Sequence, residues 1–161
     1  MKSTLIATML ALSLLSMNVF AHGDDGHAKA DDKQEGHAAP MGVPGDASKV
    51  VKTIEIDMND AMRFTPATIS IKRGETVKFV VKNTGQVKHE IVLGSILELK
   101  EHAALMIKFP EMEHSDPNQV SVEPGKTGEL IWQFNKAGTF DFACLQPGHF
   151  EAGMRGNIVV K

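Results

Sequence analysis

The most informative shortage in this sequence is that of cysteine. Its 161 residues include one cysteine, one tryptophan and no tyrosine. A single cysteine cannot close an internal disulfide, so Cys144 is a free thiol, a packed hydrophobe or a metal ligand. No run of lysine or arginine is long enough to follow a phosphate backbone, and the formal net charge is only −3. We therefore expect no nucleic-acid partner.

Long apolar runs are also scarce. The longest, Leu5 to Leu15, follows Lys2 and is too short to cross a bilayer, which is the pattern of a secretory signal peptide with cleavage after Ala21. We therefore predict a signal peptide over residues 1–21, export of the mature protein and no stable membrane insertion. An oxidising compartment makes an unpaired thiol a liability, which favours a protected role for Cys144.

The segment after the predicted signal peptide has almost no large apolar side chain. Residues 22–48 are rich in Gly, Ala, Asp and His, which predicts a disordered tail before a domain over residues 49–161. His22, His27 and His37 are most simply solvated there. Because His-rich tracts can bind metal, additional copper binding by the tail stays open.

From Val50 onwards, short β-branched runs alternate with turn residues, which predicts an all-β sandwich. The alternation is clearest over Thr127 to Phe134, where Leu130, Trp132 and Phe134 fall on one face, so Trp132 is expected in the core. The predicted strands are Val50 to Met58, Thr68 to Lys72, Thr76 to Asn83, Glu90 to Leu93, Gln119 to Val122, Thr127 to Phe134, Gly138 to Ala143 and Gly156 to Val160.

One segment departs from the strand pattern. Over residues 95–108 the apolar side chains recur at helical spacing, which predicts one helix inserted in the sandwich. Phe109-Pro110 is expected to end it. The predicted apolar stripe consists of Ile96, Leu99, Ala103, Met106 and Ile107.

A cluster of possible metal ligands lies near the C-terminus. Cys144, His149 and Met154 share one loop between two predicted strands. Thiolate, imidazole and thioether are soft or borderline ligands, and two histidines, a cysteine and a weak axial methionine form the blue-copper set. His89 is the best candidate for the second histidine, because it begins a strand whose end can face this loop.

These residues resemble those of the cupredoxins, the superfamily of plastocyanin, azurin and rusticyanin, across roughly residues 50–161. The spacing Cys-x4-His-x4-Met is similar to that of rusticyanin and auracyanin. The resemblance implies a Greek-key β-sandwich, one type 1 copper ion and transfer of single electrons in the periplasm by Cu(II)/Cu(I) cycling. It maps the copper ligands onto His89, Cys144, His149 and Met154.

A narrower resemblance suggests an alternative function. The sequence KHEIVLG, the His-rich leader and the methionines are similar to periplasmic copper-tolerance cupredoxins of proteobacteria, which implies a protein that buffers or oxidises copper. One departure from many cupredoxins is Glu90, which replaces an Asn whose side chain helps to tie the ligand loops together.

An apolar rim around His149 is predicted as the surface for electron entry and exit. We expect a monomer that docks there transiently with periplasmic redox proteins. The rim would consist of Pro147, Gly148, Phe150, Ala152 and Gly153.

Enzyme activity is not expected. Multicopper oxidases and nitrite reductases place histidines beside the copper cysteine, whereas Cys144 is flanked by Ala143 and Leu145, and the chain has no His-x-His pair. Structural zinc and a Cys144–His149 nucleophile are the alternatives, but Met154 fits copper better than either.

Histidines and methionines other than the four predicted ligands are expected to be solvated or to pack in the core. His102 and His114 are expected at the surface, solvated. The remaining methionines are more often gap fillers than ligands, with Cu(I) binding by their thioethers as a minority hypothesis. These methionines are Met58, Met62, Met106 and Met112.

Overall fold

The computed structural model describes residues 41–112 and 115–161. In this part of the chain ten strands form two sheets, and one α-helix, α1 (Ile96–Lys108), is inserted between strands. The strands are β1 (Gly42–Pro44), β2 (Val50–Asn59), β3 (Arg63–Thr65), β4 (Thr68–Ile71), β5 (Thr76–Asn83), β6 (His89–Gly94), β7 (Gln119–Val122), β8 (Thr127–Phe134), β9 (Gly138–Ala143) and β10 (Arg155–Val160). A 3-10 turn spans Ala47–Lys49.

The two sheets have the strand orders β1-β8-β5-β2-β3 and β4-β10-β9-β6-β7. Only β2 with β5 and β4 with β10 pair in parallel, and the remaining pairs are antiparallel. The chain passes from β5 to β6 and β7 in the other sheet, returns through β8, and crosses again to β9 and β10. These crossings confirm the predicted all-β Greek-key sandwich with one inserted helix.

All eight predicted strands are confirmed, each to within one residue at either end. Strands β1 and β3 were not predicted. Each has three residues, too few for an alternating pattern to be recognised. In β3 only the central Phe64 is buried, between the exposed side chains of Arg63 and Thr65.

The predicted disordered tail over residues 22–48 is wrong for its last part. Gly42 lies opposite Phe134 and Pro44 opposite Trp132 in an antiparallel pairing, and Met41 is fully buried. These residues belong to β1, which lies close against the edge of β8. Gly42 allows this close approach, because a Cβ there would clash with the carbonyl oxygen of Gln133. The rest of the predicted tail and the predicted signal peptide lie outside the described residues.

The core lies between the two sheets and continues to the end of the sandwich where β9 and β10 are joined. Leu130, Trp132 and Phe134 are buried on one face of β8, as predicted. Cys144 and Met154 belong to the same packed cluster and are fully buried. Interiors of this kind are close-packed, so these two residues are held by the core itself.

Helix α1 begins with a capping box, in which the Ser95 hydroxyl accepts from the Glu98 backbone N–H and the Glu98 carboxylate accepts from the Ser95 N–H. The helix is capped at its C-terminal end by Phe109, as predicted. Three apolar side chains, Leu99, Ala103 and Met106, are buried in a second cluster with residues of the Cys144 loop.

The predicted apolar stripe of α1 is too wide. Ile96 and Ile107 are 45% and 52% exposed. The helix packs against β6, β9 and the Cys144 loop at one end of the sandwich, so a narrow line of about one residue per turn is buried. No helix among the described residues has the length and hydropathy needed to cross a membrane.

We expect Gly42→Ala to lower the free energy of unfolding by about 1–3 kcal/mol, because the added methyl forces β1 away from β8. Chemical denaturation followed by the fluorescence of Trp132, the one tryptophan of the chain, measures this loss. The control is Val43→Ala on the same strand, where the side chain is 40% exposed and the change should stay within about 0.5 kcal/mol. Equal denaturation midpoints for Gly42→Ala and the wild type would contradict the pairing of β1 with β8.

Candidate metal centre

Three strands of one sheet position the predicted ligands. His89 is the first residue of β6, Cys144 directly follows β9, and Met154 directly precedes β10. Strand β9 pairs with both β6 and β10, and Ala143 lies opposite Val92 on one side and Arg155 on the other. The ends of these strands therefore meet at one edge of the sandwich, and the loop from Cys144 to Met154 carries His149 there.

The structure brings His89, Cys144 and His149 together. The Cys144 Sγ atom lies 3.3 Å from Nδ1 of His149 and 4.0 Å from Nδ1 of His89. The possible ligand atoms of the three residues all lie within 4.8 Å of one another, and the two imidazole ring centroids are 4.9 Å apart. A thiol and two imidazoles thus converge on one small volume.

Met154 is placed by the backbone of the same loop. The Cys144 N–H donates to the Met154 carbonyl oxygen at 3.0 Å, and the Met154 N–H donates to the His149 carbonyl oxygen at 3.0 Å. The Met154 side chain is fully buried in the cluster that contains Cys144. The loop therefore closes on itself and fixes the three residues relative to one another.

Tight turns give this loop its shape. Gly148 has a φ of +83° and Gly153 a φ of +92°, both in the left-handed region that glycine adopts without strain. Arg63 of β3 donates to the Ala152 carbonyl oxygen at 3.0 Å and so anchors the loop to the opposite sheet. Sequence analysis missed Arg63, because the contact joins residues 89 positions apart and no local pattern marks it.

The Cys144 thiol has no solvent exposure, and burial raises its pKa to about 12. The backbone N–H of Glu90 donates to Sγ at 3.4 Å, which favours the thiolate but does not offset the burial. Burial and the nearby His89 lower the pKa of His149. Without a metal the site therefore holds a protonated thiol beside a neutral His149 imidazole, whose lone pair is available.

Glu90 makes the tie between ligand loops that many cupredoxins make with Asn. Its side chain is buried and accepts three hydrogen bonds, from the Leu145 N–H at 3.1 Å, the Gln146 amide at 3.2 Å and the Ser121 hydroxyl at 3.0 Å. Strand β6, strand β7 and the Cys144 loop are joined through this one carboxylate. The replacement of Asn by Glu90 therefore preserves the tie between the ligand loops and introduces a carboxylate charge there.

Asp60 is a further residue of the site that sequence reasoning missed. Its Oδ1 atom lies 3.1 Å from Nε2 of His89, and its Oδ2 atom accepts from the Gln86 N–H at 2.7 Å. The hydrogen-bond network assigns the Nε2 proton to His89, which leaves the Nδ1 lone pair facing Cys144. Asp60 follows β2 in an ordinary turn sequence, so no signal in the sequence distinguishes it from other turn aspartates.

The donor set fits copper. The Cys144 sulfur, the two Nδ1 atoms and the buried Met154 would hold copper, because they match the donor set of two histidines, a cysteine and a methionine found in blue-copper sites. Structural zinc favours four Cys or His ligands, whereas only three such residues, with no Asp or Glu among them, converge in this way in the part of the chain described. The fully buried thiol is also a poor nucleophile, since nucleophilic cysteines need a lowered pKa.

Several predictions about neighbouring residues need correction. Phe150 is buried in the cluster beneath α1 and does not contribute to the rim, although Pro147, Gly148 and Ala152 are exposed as predicted. His102 is partly buried rather than fully solvated. His114 lies outside the described residues.

The other methionines have mixed environments. Met58 and Met106 are buried, Met62 is partly buried against the core, and Met112 is exposed. The first three environments match the prediction that these residues fill gaps in the core. Met112 packs into no core cluster.

Comparison with known proteins agrees with this site. Residues 50–161 match the family model of copper binding proteins, the plastocyanin/azurin family. The chain is 47% identical over 165 residues to the "Copper-resistant cuproprotein CopI" of Rubrivivax gelatinosus and 35% identical over 169 residues to the protein of the same name from Vibrio cholerae. The alignments cover 100% of both chains in the first case and 98% of both in the second.

The fold is also similar to that of solved structures. Auracyanin B superimposes with a TM-score of 0.60 at 19% identity, over 77% of this chain and 96% of that one. Auracyanin A superimposes with a TM-score of 0.56 at 25% identity, over 68% and 98%. With His89, Cys144, His149 and Met154 arranged as a type 1 copper site, this chain belongs to the cupredoxins, the plastocyanin/azurin family of copper-binding proteins.

Proposed function

We propose that this protein is an exported copper-resistance cupredoxin that binds one copper ion and passes single electrons by Cu(II)/Cu(I) cycling. The observation that carries the proposal is the buried convergence of His89, Cys144 and His149, with all possible ligand atoms within 4.8 Å. Two relatives aligned over nearly their whole length are named copper-resistant cuproproteins, which supports the resistance role.

The way in which the ligands are held supports redox cycling. When bound, copper would supply a one-electron couple, and a donor set of two histidines, a cysteine and a methionine would serve both of its oxidation states moderately well. Glu90 ties Leu145 to the strands, Arg63 ties Ala152 to β3, and the backbone bonds of Met154 close the loop. Ligands held in this way move little when the oxidation state changes, which favours fast electron exchange.

Electrons have a short route to the surface through His149. Its ring is only partly buried, whereas Cys144 and His89 have no solvent exposure. The exposed residues Pro147, Gly148 and Ala152 lie on the same loop as His149, together with the exposed and charged Glu151, and a redox partner could dock transiently on this surface. This rim favours a second candidate function, that of an electron shuttle between redox proteins.

The residues beside Cys144 provide no route to a second metal centre. Ala143 and Leu145, the two neighbours of Cys144, are buried apolar residues and offer no ligand through which electrons could reach another metal. We propose that the protein is not an enzyme, and that export depends on the predicted signal peptide at residues 1–21.

The type 1 site predicts a specific optical change. Addition of Cu(II) to the mature protein should produce an intense thiolate-to-copper band in the visible spectrum, and Cys144→Ser should abolish it, because a hydroxyl is no substitute for the thiolate. Met58→Leu, a volume-conserving change at a buried methionine outside the site, should leave the band unchanged. A well-folded wild-type protein that stays colourless with Cu(II) would contradict the copper-thiolate site.

Copper binding should strengthen as the pH rises. Because the pKa of the Cys144 thiol is about 12, the free protein keeps this proton near neutral pH and copper must displace it. The pKa of His149 is lowered, so its imidazole is already neutral and releases no further proton. We therefore expect the apparent affinity for Cu(II) to rise about tenfold per unit from about pH 7 to 9, since one proton is released.

Competition titrations against a chelator of known affinity measure this slope. The matched control is Cys144→Ser, in which the slope due to the thiol should disappear together with its proton. An affinity of the wild type that does not change over the same pH range would mean that the thiol does not bind the metal.

Growth in copper separates the two candidate functions. In a bacterial strain that lacks its own protein of this family, the wild type should restore copper tolerance and Cys144→Ser should not. Ala152→Glu places a charge on the exposed rim without touching a ligand, and Ala137→Glu places the same charge at the far end of β9. Copper tolerance that survives Ala152→Glu favours copper binding alone.

Loss of tolerance with Ala152→Glu but not with Ala137→Glu would show that resistance requires a docked redox partner. Full copper tolerance of cells carrying Cys144→Ser would contradict the proposed function. The optical spectrum of each purified variant verifies that the rim variants keep the copper site.

A further inference from the structure

We propose that Asp60 and Glu90 are positioning residues of the copper site. Their two negative charges favour Cu(II) over Cu(I) and so lower the reduction potential of the site. This inference deepens the proposed function and rests on it, since it concerns the redox couple of the same site. It concerns two carboxylates that donate no ligand atom but contact the residues that do.

Asp60 acts on His89 directly. The His89 ring is fully buried and its Nε2 atom meets the Asp60 carboxylate at 3.1 Å, whereas Asp60 itself is 39% exposed. The backbone N–H of Gln86 holds the other carboxylate oxygen, and a side chain at Gly85 would clash with Asp60. The turn before β6 is thus closed around this carboxylate, which fixes the orientation of the imidazole and increases its electron donation.

Glu90 acts on the cysteine side of the site. Its backbone N–H donates to Cys144 Sγ at 3.4 Å, and its carboxylate binds the N–H of Leu145, the residue after the cysteine, at 3.1 Å. Both carboxylate oxygens accept hydrogen bonds from neutral donors. The donors orient the Glu90 carboxylate without adding a positive charge to it.

Among residues 41–112 and 115–161, no lysine or arginine forms an ion pair with either carboxylate. Asp60 pairs only with His89, and Lys88, which precedes that histidine, pairs instead with Glu123 at 3.6 Å. Glu90 has no ion pair in the same residues. Neither carboxylate is therefore neutralised by a direct ion pair with a lysine or arginine, although Lys88 lines the same surface pocket as Glu90.

The effect on the couple follows from charge. With one thiolate and two neutral imidazoles, the centre carries a net charge of +1 as Cu(II) and 0 as Cu(I). A nearby anion stabilises the charged form and leaves the neutral form almost unaffected, and it does so more strongly beside a buried site than in water. Two carboxylates without a direct lysine or arginine partner therefore stabilise the oxidised state and lower the reduction potential.

The experiment uses Asp60→Asn and Glu90→Gln in the copper-loaded mature protein. Each removes one charge and keeps the shape of the side chain. The control is Glu55→Gln, which removes one charge from an exposed position on β2, five residues before Asp60. The reduction potential is measured by equilibrium titration, and the affinities for Cu(II) and Cu(I) are measured separately by competition.

We expect Asp60→Asn and Glu90→Gln each to shift the Cu(II)/Cu(I) ratio at a fixed potential about tenfold towards Cu(I), which corresponds to a rise of about 59 mV. The affinity for Cu(II) should fall by the same factor while that for Cu(I) stays constant. Glu55→Gln should change neither quantity.

Two results would overturn the inference. An unchanged potential in both variants would show that the charges do not act on the couple. Equal losses of Cu(II) and Cu(I) affinity would show a purely structural role. A wild-type protein without a reversible couple would instead defeat the proposed electron cycling, and the ratio of the two affinities would still test the role of the carboxylates.

Variants that do not fold are replaced by other measurements. For Glu90 the second variant is Glu90→Asn, which introduces the neutral residue found at this place in many cupredoxins and should raise the potential in the same direction. For Asp60 the second measurement is made on the wild-type protein in its diamagnetic Cu(I) form, and it tests the contact with His89. Nitrogen-15 NMR should show a slowly exchanging proton on Nε2 of His89, and a proton that exchanges rapidly there would contradict the contact with Asp60.

Discussion

The burial of Cys144 is the constraint on which the rest of the site depends. Burial raises the pKa of this thiol to about 12, so the thiol keeps its proton at neutral pH. Only a strongly bound cation can displace that proton. Such a cation needs its other ligands close by, and the two Nδ1 atoms lie 3.3 and 4.0 Å from the sulfur. The core cluster that contains Trp132 also contains Cys144, so the packing of the sandwich also fixes the geometry of the metal site.

The loops at this end of the sandwich are joined by polar side chains that are themselves buried or anchored. The fully buried Asn83 donates to the carbonyl oxygens of Val87 and Val122, which ties the turn before His89 to β7. Glu90 continues this connection to the Cys144 loop, and Arg63 reaches that loop from the other sheet. A buried polar network of this kind specifies one arrangement, because each unsatisfied member would carry a large penalty.

Copper resistance and electron transfer make different demands on the surface but the same demand on the site. Both need a copper ion held by His89, Cys144 and His149 in a geometry that serves two oxidation states. Only transfer to a partner needs the exposed residues around His149, and there the structure offers Pro147 and Ala152 but not Phe150, which the helix cluster has taken into the interior. Similarity to copper-resistant cuproproteins over the whole chain points in the first direction, and the exposed rim is compatible with the second.

The sequence by itself determined the sandwich, the inserted helix and the three ligands on one loop. Alternation over four or more residues and ligand spacing within eleven residues are local properties, and a local pattern can be read from the chain. The tertiary structure alone decided two kinds of feature. These are contacts between residues far apart in the sequence, and strands too short to show an alternating pattern of apolar residues. Strands β1 and β3 have three residues each, and their partners lie elsewhere in the first sheet. Asp60 meets His89 across 29 positions and Glu90 meets Leu145 across 55, so these contacts exist only because folding brings the ends of distant strands to one edge.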